Sequence, residues 1–404
     1  MPDKAPRQIP SAVVTLGWIS FLTDVASEMI YPLLPTFLTR TLKAGPAAVG
    51  IVEGVAEATA SVTKILSGWW SDRVRKRKPL VVLGYSIAAV ARPLVALAFS
   101  WTQVLAIRFA DRVGKGIRTP PRDALMADLI PPERRGRAFG FQRAMDNAGA
   151  LVGPLIAAFL LKYVVEDPRT VFLLAFVPGL AAVVLLLVKV REAAPALPPP
   201  SPEISNPKSE IRDPKSERLP PSFKSVVAIF VLFTLANSTD AFLLLRAREA
   251  GLELWQLPLV WSLFHAVKAA AGVPGGALGD RIGHVPAIAL GWAVYALSYL
   301  GFAYLAGPSS IWGLFAFYAL HSALTEGPER ALIAGLVPAR SRGRAFGLFH
   351  AGLGLAALPA SILFGIWWTL FGARAAFAIG AGIAASALAA LLLWNARRRR
   401  AEAA

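Results

Sequence analysis

The chain has 404 residues, of which 55% are hydrophobic and only 17% charged, with a mean hydropathy of +0.54. Soluble domains carry about 25% charged residues, so this composition excludes a soluble multidomain protein, a disordered chain and a secreted scaffold; with no cysteine, disulfides, thiolate metal sites and cysteine nucleophiles are excluded as well. The net charge of +17 would suit a nucleic-acid binder, yet the bases cluster at the ends of apolar runs, where they act as signals of membrane topology rather than of nucleic acid.

Long apolar runs broken by Pro, Gly or charge clusters predict membrane helices at 11–39, 46–70, 79–100, 101–128, 136–163, 169–189, 223–246, 255–277, 285–306, 310–336, 343–371 and 373–394. The expected fold class is therefore an all-α membrane protein of twelve transmembrane helices; run length without alternation argues against barrel strands. Span one holds Asp24 and Glu28 at i,i+4 spacing, which makes it too long and too polar for a cleavable signal. Span two holds Glu53 and Glu57 at the same spacing. Neighbouring or buried carboxylates compete for ionisation, which is what a proton carrier needs.

Span four carries an ionic stripe. At ~100° per residue, Arg108, Asp111, Arg112, Lys115, Arg118 and Arg122 fall within an arc of about 120°, with Ala110, Val113, Ile117 and Ala124 opposite. Each charge facing lipid at a helix centre costs ~2.5–3.5 kcal/mol, so this face is expected to meet water or partners. The acids could exchange protons while Arg108 and Arg112 serve as movable counter-ions, or all of them could form a static ion-pair network; the stripe alone does not decide whether the substrate is an anion. Span five contains Gly149-Ala150-Leu151-Val152-Gly153-Pro154, where the two glycines permit close helix approach.

Residues 191–222 hold nine prolines between Pro195 and Pro221, together with mixed charges, and read as a flexible cytoplasmic linker. They separate an N-terminal bundle at 1–190 from a C-terminal bundle at 223–396, followed by a basic tail at 397–404. The second half is poorer in charge. It offers Asp240 on span seven, His265 and Lys268 on span eight, and His321 and Glu326 on span ten. His321 is either a protonation switch or a hydrogen-bonding wall residue. Asn237-Ser238-Thr239 has the form of a glycosylation acceptor but falls inside a span, out of a transferase's reach.

The halves repeat one another. Arg135-Gly136-Arg137-Ala138-Phe139-Gly140 recurs as Arg342-Gly343-Arg344-Ala345-Phe346-Gly347, and Gly68-x-x-x-Asp72-Arg73 recurs as Gly276-x-x-x-Asp280-Arg281. Two similar six-helix bundles follow, with a binding site expected between them near mid-membrane. In these motifs the chain resembles the major facilitator superfamily over essentially its whole length. The loop from Gly68 through Asp72 and Arg73 to Lys78 resembles that family's loop 2–3 signature, departing from it at Arg75, and Gly276 through Asp280 and Arg281 resembles the counterpart in loop 8–9. The resemblance implies a conformational latch at these residues. Gly149, Gly153 and Pro154, with Tyr31-Pro32-Leu33-Leu34-Pro35 closing span one, resemble the drug/proton antiporter branch. Arg108 stands where the family's fourth-helix arginine occurs, a residue the resemblance links to proton transfer, although Asp111 and Arg112 replace the usual Gln and Gly.

The expected activity is secondary transport of a small organic solute by alternating access, as proton-coupled efflux, by a monomer. Alternatives are a proton-coupled importer of an anionic metabolite and a transport-inactive sensor. The clusters Arg73 to Lys78, Arg134 to Arg137, Arg340 to Arg344 and Arg397 to Arg400 place both termini in the cytoplasm of an inner membrane. No enzyme is expected: Val113-Gly114-Lys115-Gly116 lacks the rest of a phosphate-binding loop, the four histidines lack metal-ligand spacing, and no cofactor motif occurs.

Overall fold

A computed structural model of the chain describes residues 10–73, 77–128, 130, 135–190, 219–305, 307–338 and 341–403. The expected linker lies outside the described residues as far as 218, as do the side chains of Asp72 and Arg73. The described chain is a succession of helices: α1 (Ser11–Thr41), α2 (Pro46–Arg73), α3 (Lys78–Leu97), α4 (Trp101–Asp128), α5 (Arg135–Tyr163), α6 (Pro168–Lys189), α7 (Pro221–Glu249), α8 (Gln256–Ile282), α9 (His284–Tyr304) and α10 (Pro308–Gly335). A last helical stretch, Arg342–Ala403, breaks at Gly372 (φ 81°, ψ 167°) into α11 (342–371) and α12 (373–403). Only glycine adopts that backbone without strain, so Gly372 makes the turn between two antiparallel rods.

Twelve rods thus follow the expected spans, with three differences. The linker ends earlier than residue 222, because Pro221 already starts α7, where its missing N–H costs nothing. The tail at 397–404 is no separate element, since α12 continues to Ala403. The seventh span, expected to be continuous over 223–246, is broken: helix runs over Pro221–Ala236 and Ala241–Glu249, and Asn237 between them sits at φ −83°, ψ 78°. Four short polar side chains in a row, Asn237 to Asp240, compete with the backbone for its own hydrogen bonds. Thr239 Oγ1 accepts from the Ala241 N–H at 3.3 Å, Tyr295 donates to the freed Ala236 carbonyl at 2.9 Å, and Ser238 bonds Tyr299 at 3.0 Å.

Eight stretches are long and apolar enough to cross a membrane, the last of them holding both α11 and α12. The helices that fall short are α2, α4 and α10, which carry the charges that face inward. Helices α1 to α6 pack as one bundle, through α1–α5, α1–α6, α2–α4, α3–α4 and α3–α6. Helices α7 to α12 pack as a second, with α8–α10 and α9–α10 among its contacts. Between the bundles, α5 lies on α8 and α2 on α11, the symmetric pairing expected of a duplicated six-helix unit. The C-terminal bundle is glued by aromatic side chains, among them Phe233 stacked on Trp292 at 4.3 Å.

Candidate functional site

A cavity of about 1120 Å³ lies between the bundles. From the first bundle it is lined by α1 (Asp24, Ser27, Glu28, Tyr31), α2 (Glu53, Glu57, Ser61, Lys64) and α4 (Arg112, Lys115, Arg118, Asp123). From the second come the unwound part of α7 (Asn237 to Asp240), Trp261, Tyr318, His321, Arg330 and the face of α11 from Gly347 to Ser361. Lys64, Asp123, Arg330 and Gly347 lie toward the ends of their helices that meet the loops at 73–78, 128–135 and 335–342. The cavity therefore opens to the face on which those loops lie. The start of α1, whose Gly17 lies against Phe141 of α5, and the end of α12, whose other end carries Arg374 over Tyr304, lie on that side too, and we call it the terminal face.

The opposite face is shut by contacts between the bundles. Gly54 abuts the Leu358 carbonyl, which a Cβ on that glycine would approach to 3.1 Å. The Ala47 N–H donates to Thr369 Oγ1 at 3.3 Å, and the rings of Tyr31 and Trp261 lie 5.2 Å apart. The bundles are thus apart at one end of the cavity and in contact at the other.

An ion-pair network runs from the cavity wall, at Glu53 and Arg92, to Arg108 and Asp111 behind it. Arg108 binds Glu53 in a bidentate fork, its Nη2 donating at 2.7 and 2.8 Å and its Nε at 3.1 Å. Asp111 accepts from Arg92 Nε at 3.0 Å and lies 3.7 Å from Arg108, while Arg92 also donates to the Thr23 carbonyl at 2.8 Å. These groups are buried, and opposite charges meet at short range: Glu53 accepts three bonds from Arg108, Arg92 donates to both Asp111 and the Thr23 carbonyl, and Asp111 accepts one bond from Arg92 and lies within ion-pair distance of Arg108. Arg108 and Asp111 were expected in the cavity with the rest of the stripe. Instead they turn away from it into the junction of α1, α3 and α4, because α3 brings Arg92 to that arc. Arg92, followed by Pro93, is a lone base inside an apolar span, and that solitude is the signal that finds it.

Arg112 and Lys115 do line the cavity, as does Arg118, which stacks 4.5 Å above the Tyr85 ring. Toward the terminal face, Arg122 pairs with Asp123 at 2.9 Å and reaches Ser20 at 3.0 Å.

Of the expected acids, Asp24, Glu28, Glu53 and Glu57 all reach the cavity. Glu28 spans the bundles: its Oε2 accepts from Trp261 Nε1 at 2.8 Å and lies 4.0 Å from His265 Nε2. Nearby, Tyr31 and Thr239 approach to 3.4 Å through their hydroxyls. Gly149 and Gly153 explain how α1 is held. A Cβ at Gly149 would sit 2.6 Å from the Phe21 carbonyl and 2.9 Å from Asp24 Cβ, and one at Gly153 would sit 2.6 Å from the Val25 carbonyl and 3.0 Å from Glu28 Cβ. The antiport-like motif is thus the surface on which the two acids of α1 rest, with Pro154 directly after Gly153 in α5.

In the second bundle, Asp240 accepts from the Tyr318 hydroxyl at 2.7 Å at the edge of the unwound segment. His321 Nδ1 lies 3.1 Å from the Gly291 carbonyl among aromatic rings, in the hydrogen-bonding role. Lys268 and Glu326 do not line the cavity; they pair at 2.6 Å, and Arg143 of α5 approaches the same carboxylate at 3.9 Å from the other bundle. Among the latch residues, a Cβ added at Gly68 would make ordinary contact with Pro120 and one at Gly276 would meet nothing within 4 Å, while Asp280 and Arg281 are exposed at the end of α8 without an ion pair to any described residue. Sequence reasoning missed Lys64, Arg330 and Trp261 as wall residues. What it lacked was the partner helix, which decides whether an aromatic edge meets lipid or a carboxylate.

A family model for the Major Facilitator Superfamily matches residues 16–327. The chain belongs to the Major Facilitator Superfamily. It is 35% identical to an uncharacterized MFS-type transporter, MJ1317, of Methanocaldococcus jannaschii, over 90% of each chain. A shorter match, 31% identical and covering 33% of each chain, is to the multidrug resistance protein MdtH of Cronobacter sakazakii. Among solved structures, a bacterial homolog of the human lysosomal transporter Spinster in an inward-facing, unoccupied conformation superposes with a TM-score of 0.72 over 96% of this chain and 95% of its own, at 18% identity. The protein is accordingly a multi-pass membrane protein of the facilitator fold, a secondary transporter of small molecules and not an enzyme.

Proposed function

We propose that this facilitator exports a small organic solute in exchange for protons, as a monomer in a prokaryotic inner membrane with both termini in the cytoplasm. Placing the terminal face in the cytoplasm rests on the Lys/Arg clusters of its loops. Export is favoured by the likeness of one third of the chain to a multidrug resistance protein.

The observation that carries proton coupling is Glu28, whose carboxylate accepts from Trp261 of the other bundle across the closed end of the cavity. Charged, it is a strong acceptor for the indole N–H and ties the bundles together; protonated, it is a weaker one, and that tie loosens. A proton taken from outside would thus accompany opening toward the outside, and its loss to the cytoplasm would accompany the arrangement described here. Asp24, one turn earlier on the same face, and Glu57 across the cavity offer further stations for the proton.

The test uses everted vesicles acidified inside, with a fluorescent reporter of lumenal pH. Addition of a transported solute should release protons from vesicles carrying the native protein, and Glu28→Gln should abolish that release while solute binding persists. Undiminished release by Glu28→Gln would refute the role of this carboxylate. Solute-driven proton movement in the opposite sense would mark the protein as an importer.

A further inference from the structure

The ionic stripe of α4 is neutralised unevenly. Arg108 is satisfied by Glu53, and Arg122 by Asp123, whereas none of Arg112, Lys115 and Arg118 has a carboxylate within 4.0 Å among the described residues. Arg112 is 8% exposed and its Nε has no hydrogen-bond partner; Arg118 is 4% exposed and its Nη1 has none. Both line the cavity, and Lys64 of α2 and Arg330 of α10 add charge on its open side. Asp24, Glu28, Glu57 and Asp240 line the same cavity, so its wall as a whole is mixed in charge, and the cationic part is the patch of α4 formed by Arg112, Lys115 and Arg118.

Buried donors left unsatisfied cost about 1–3 kcal/mol each, more when charged, so a cluster of them lining a wet cavity is arranged for a ligand. We infer that this central cavity binds an organic anion, whose carboxylate or phosphate group is held by Arg112 and Lys115 with Arg118 behind them. The planar fork of Arg112 suits either group. Across the cavity, Trp261 and Tyr31 stand with their rings 5.2 Å apart and give the body of the ligand an aromatic ledge. A flat or aromatic organic acid satisfies both walls. The anion would also explain how one stripe serves two ends: the paired bases hold the bundle, and the unpaired ones hold cargo. The inference rests on the reading of this cavity as the transport site, but not on the direction of transport or on proton coupling.

The test is thermal unfolding of the purified full chain in detergent, without any gradient, at constant ionic strength. The probes share one body and differ in charge: benzoate, phenyl phosphate, benzyl alcohol and benzylammonium. Benzoate or phenyl phosphate should raise the melting temperature in a saturable manner, and which of the two is stronger tells carboxylate from phosphate. Benzyl alcohol and benzylammonium should not. Arg112→Gln should weaken the apparent affinity about 10- to 100-fold, as expected for loss of a charge-assisted pair. Lys115→Gln, on a less buried part of the wall, supplies the same contrast should the arginine variant fail to fold, and Arg374→Gln, which stacks on Tyr304 away from the cavity, should bind as the native protein does. A shift with benzylammonium alone, no shift with either anion, or an anion shift that survives Lys115→Gln and Arg112→Gln overturns the assignment. Failure of proton release in vesicles, with anion binding intact, would refute the coupling mechanism and leave this site standing.

Discussion

Arg108 and Glu53 are committed to one another by three hydrogen bonds in a buried setting, which makes their exchange for neutral residues asymmetric. Removing one partner leaves an uncompensated buried charge and costs about 3–5 kcal/mol, whereas removing both is often nearly neutral. Glu53→Gln and Arg108→Leu should each lower the melting temperature strongly, and the double variant Glu53→Leu with Arg108→Leu should recover much of the loss. Single variants that melt like the native protein would show that the pair is not the clamp described. The ionic stripe itself was legible in the sequence, because i,i+3 and i,i+4 spacing fixes which residues share a face. Which arc of that face is covered was not legible. A helical wheel gives angles about one axis, and only the packing of α3 shows that Arg92 intercepts Asp111 while Arg112 and Lys115 are left to the cavity.

The contact of α5 with α1 depends on glycine at two points. A Cβ at Gly149 or Gly153 would come within 2.6 Å of a backbone carbonyl of α1, closer than real side chains approach. Gly153→Val should therefore push α1 away, displace Glu28 and abolish transport, with a destabilisation of about 1–3 kcal/mol from overpacking. Gly382→Ala, where an added Cβ meets nothing within 4 Å, should be neutral or slightly stabilising on helix propensity. Melting temperature and vesicle transport of the two variants, side by side, check this; normal transport by Gly153→Val would deny the motif its positioning role. The Gly-x-x-x-Gly spacing was readable as close packing, but not what was packed, since the two acids of α1 are remote in sequence. The break in α7 was readable too, and was passed over: Asn237 to Asp240 form a turn-like run that the surrounding apolar residues masked. Hydropathy averaged over a span cannot see a polar run whose partners, Tyr31 for Thr239, Tyr299 for Ser238 and Tyr318 for Asp240, come from other helices.

For the molecule as a whole, the repeat and the apolar runs already dictated two six-helix bundles, and duplication made a cavity between them the natural site. Which face that cavity opens to is a property of contacts between bundles, and no residue pattern within one bundle encodes it. Those contacts are concentrated where α2 meets α11, with Ala47 bonded to Thr369 and Gly54 against Leu358. If rocking of the bundles is the transport motion, they must part on the closed face whenever the cavity opens there. The absence of native cysteine gives a clean background for testing this. Ala47→Cys with Thr369→Cys should cross-link readily, directly or through a short bis-thiosulfonate, because the native pair already sits within hydrogen-bonding reach. The cross-linked protein should lose transport and regain it on reduction. A third cysteine at Lys64, on the open side, should stay as reactive toward a membrane-impermeant thiol reagent after cross-linking as before, since locking the closed face preserves access from the terminal one. Full transport by the cross-linked protein would mean that α2 and α11 do not separate there, and the cavity would then have to exchange its contents by a path other than movement of one bundle against the other.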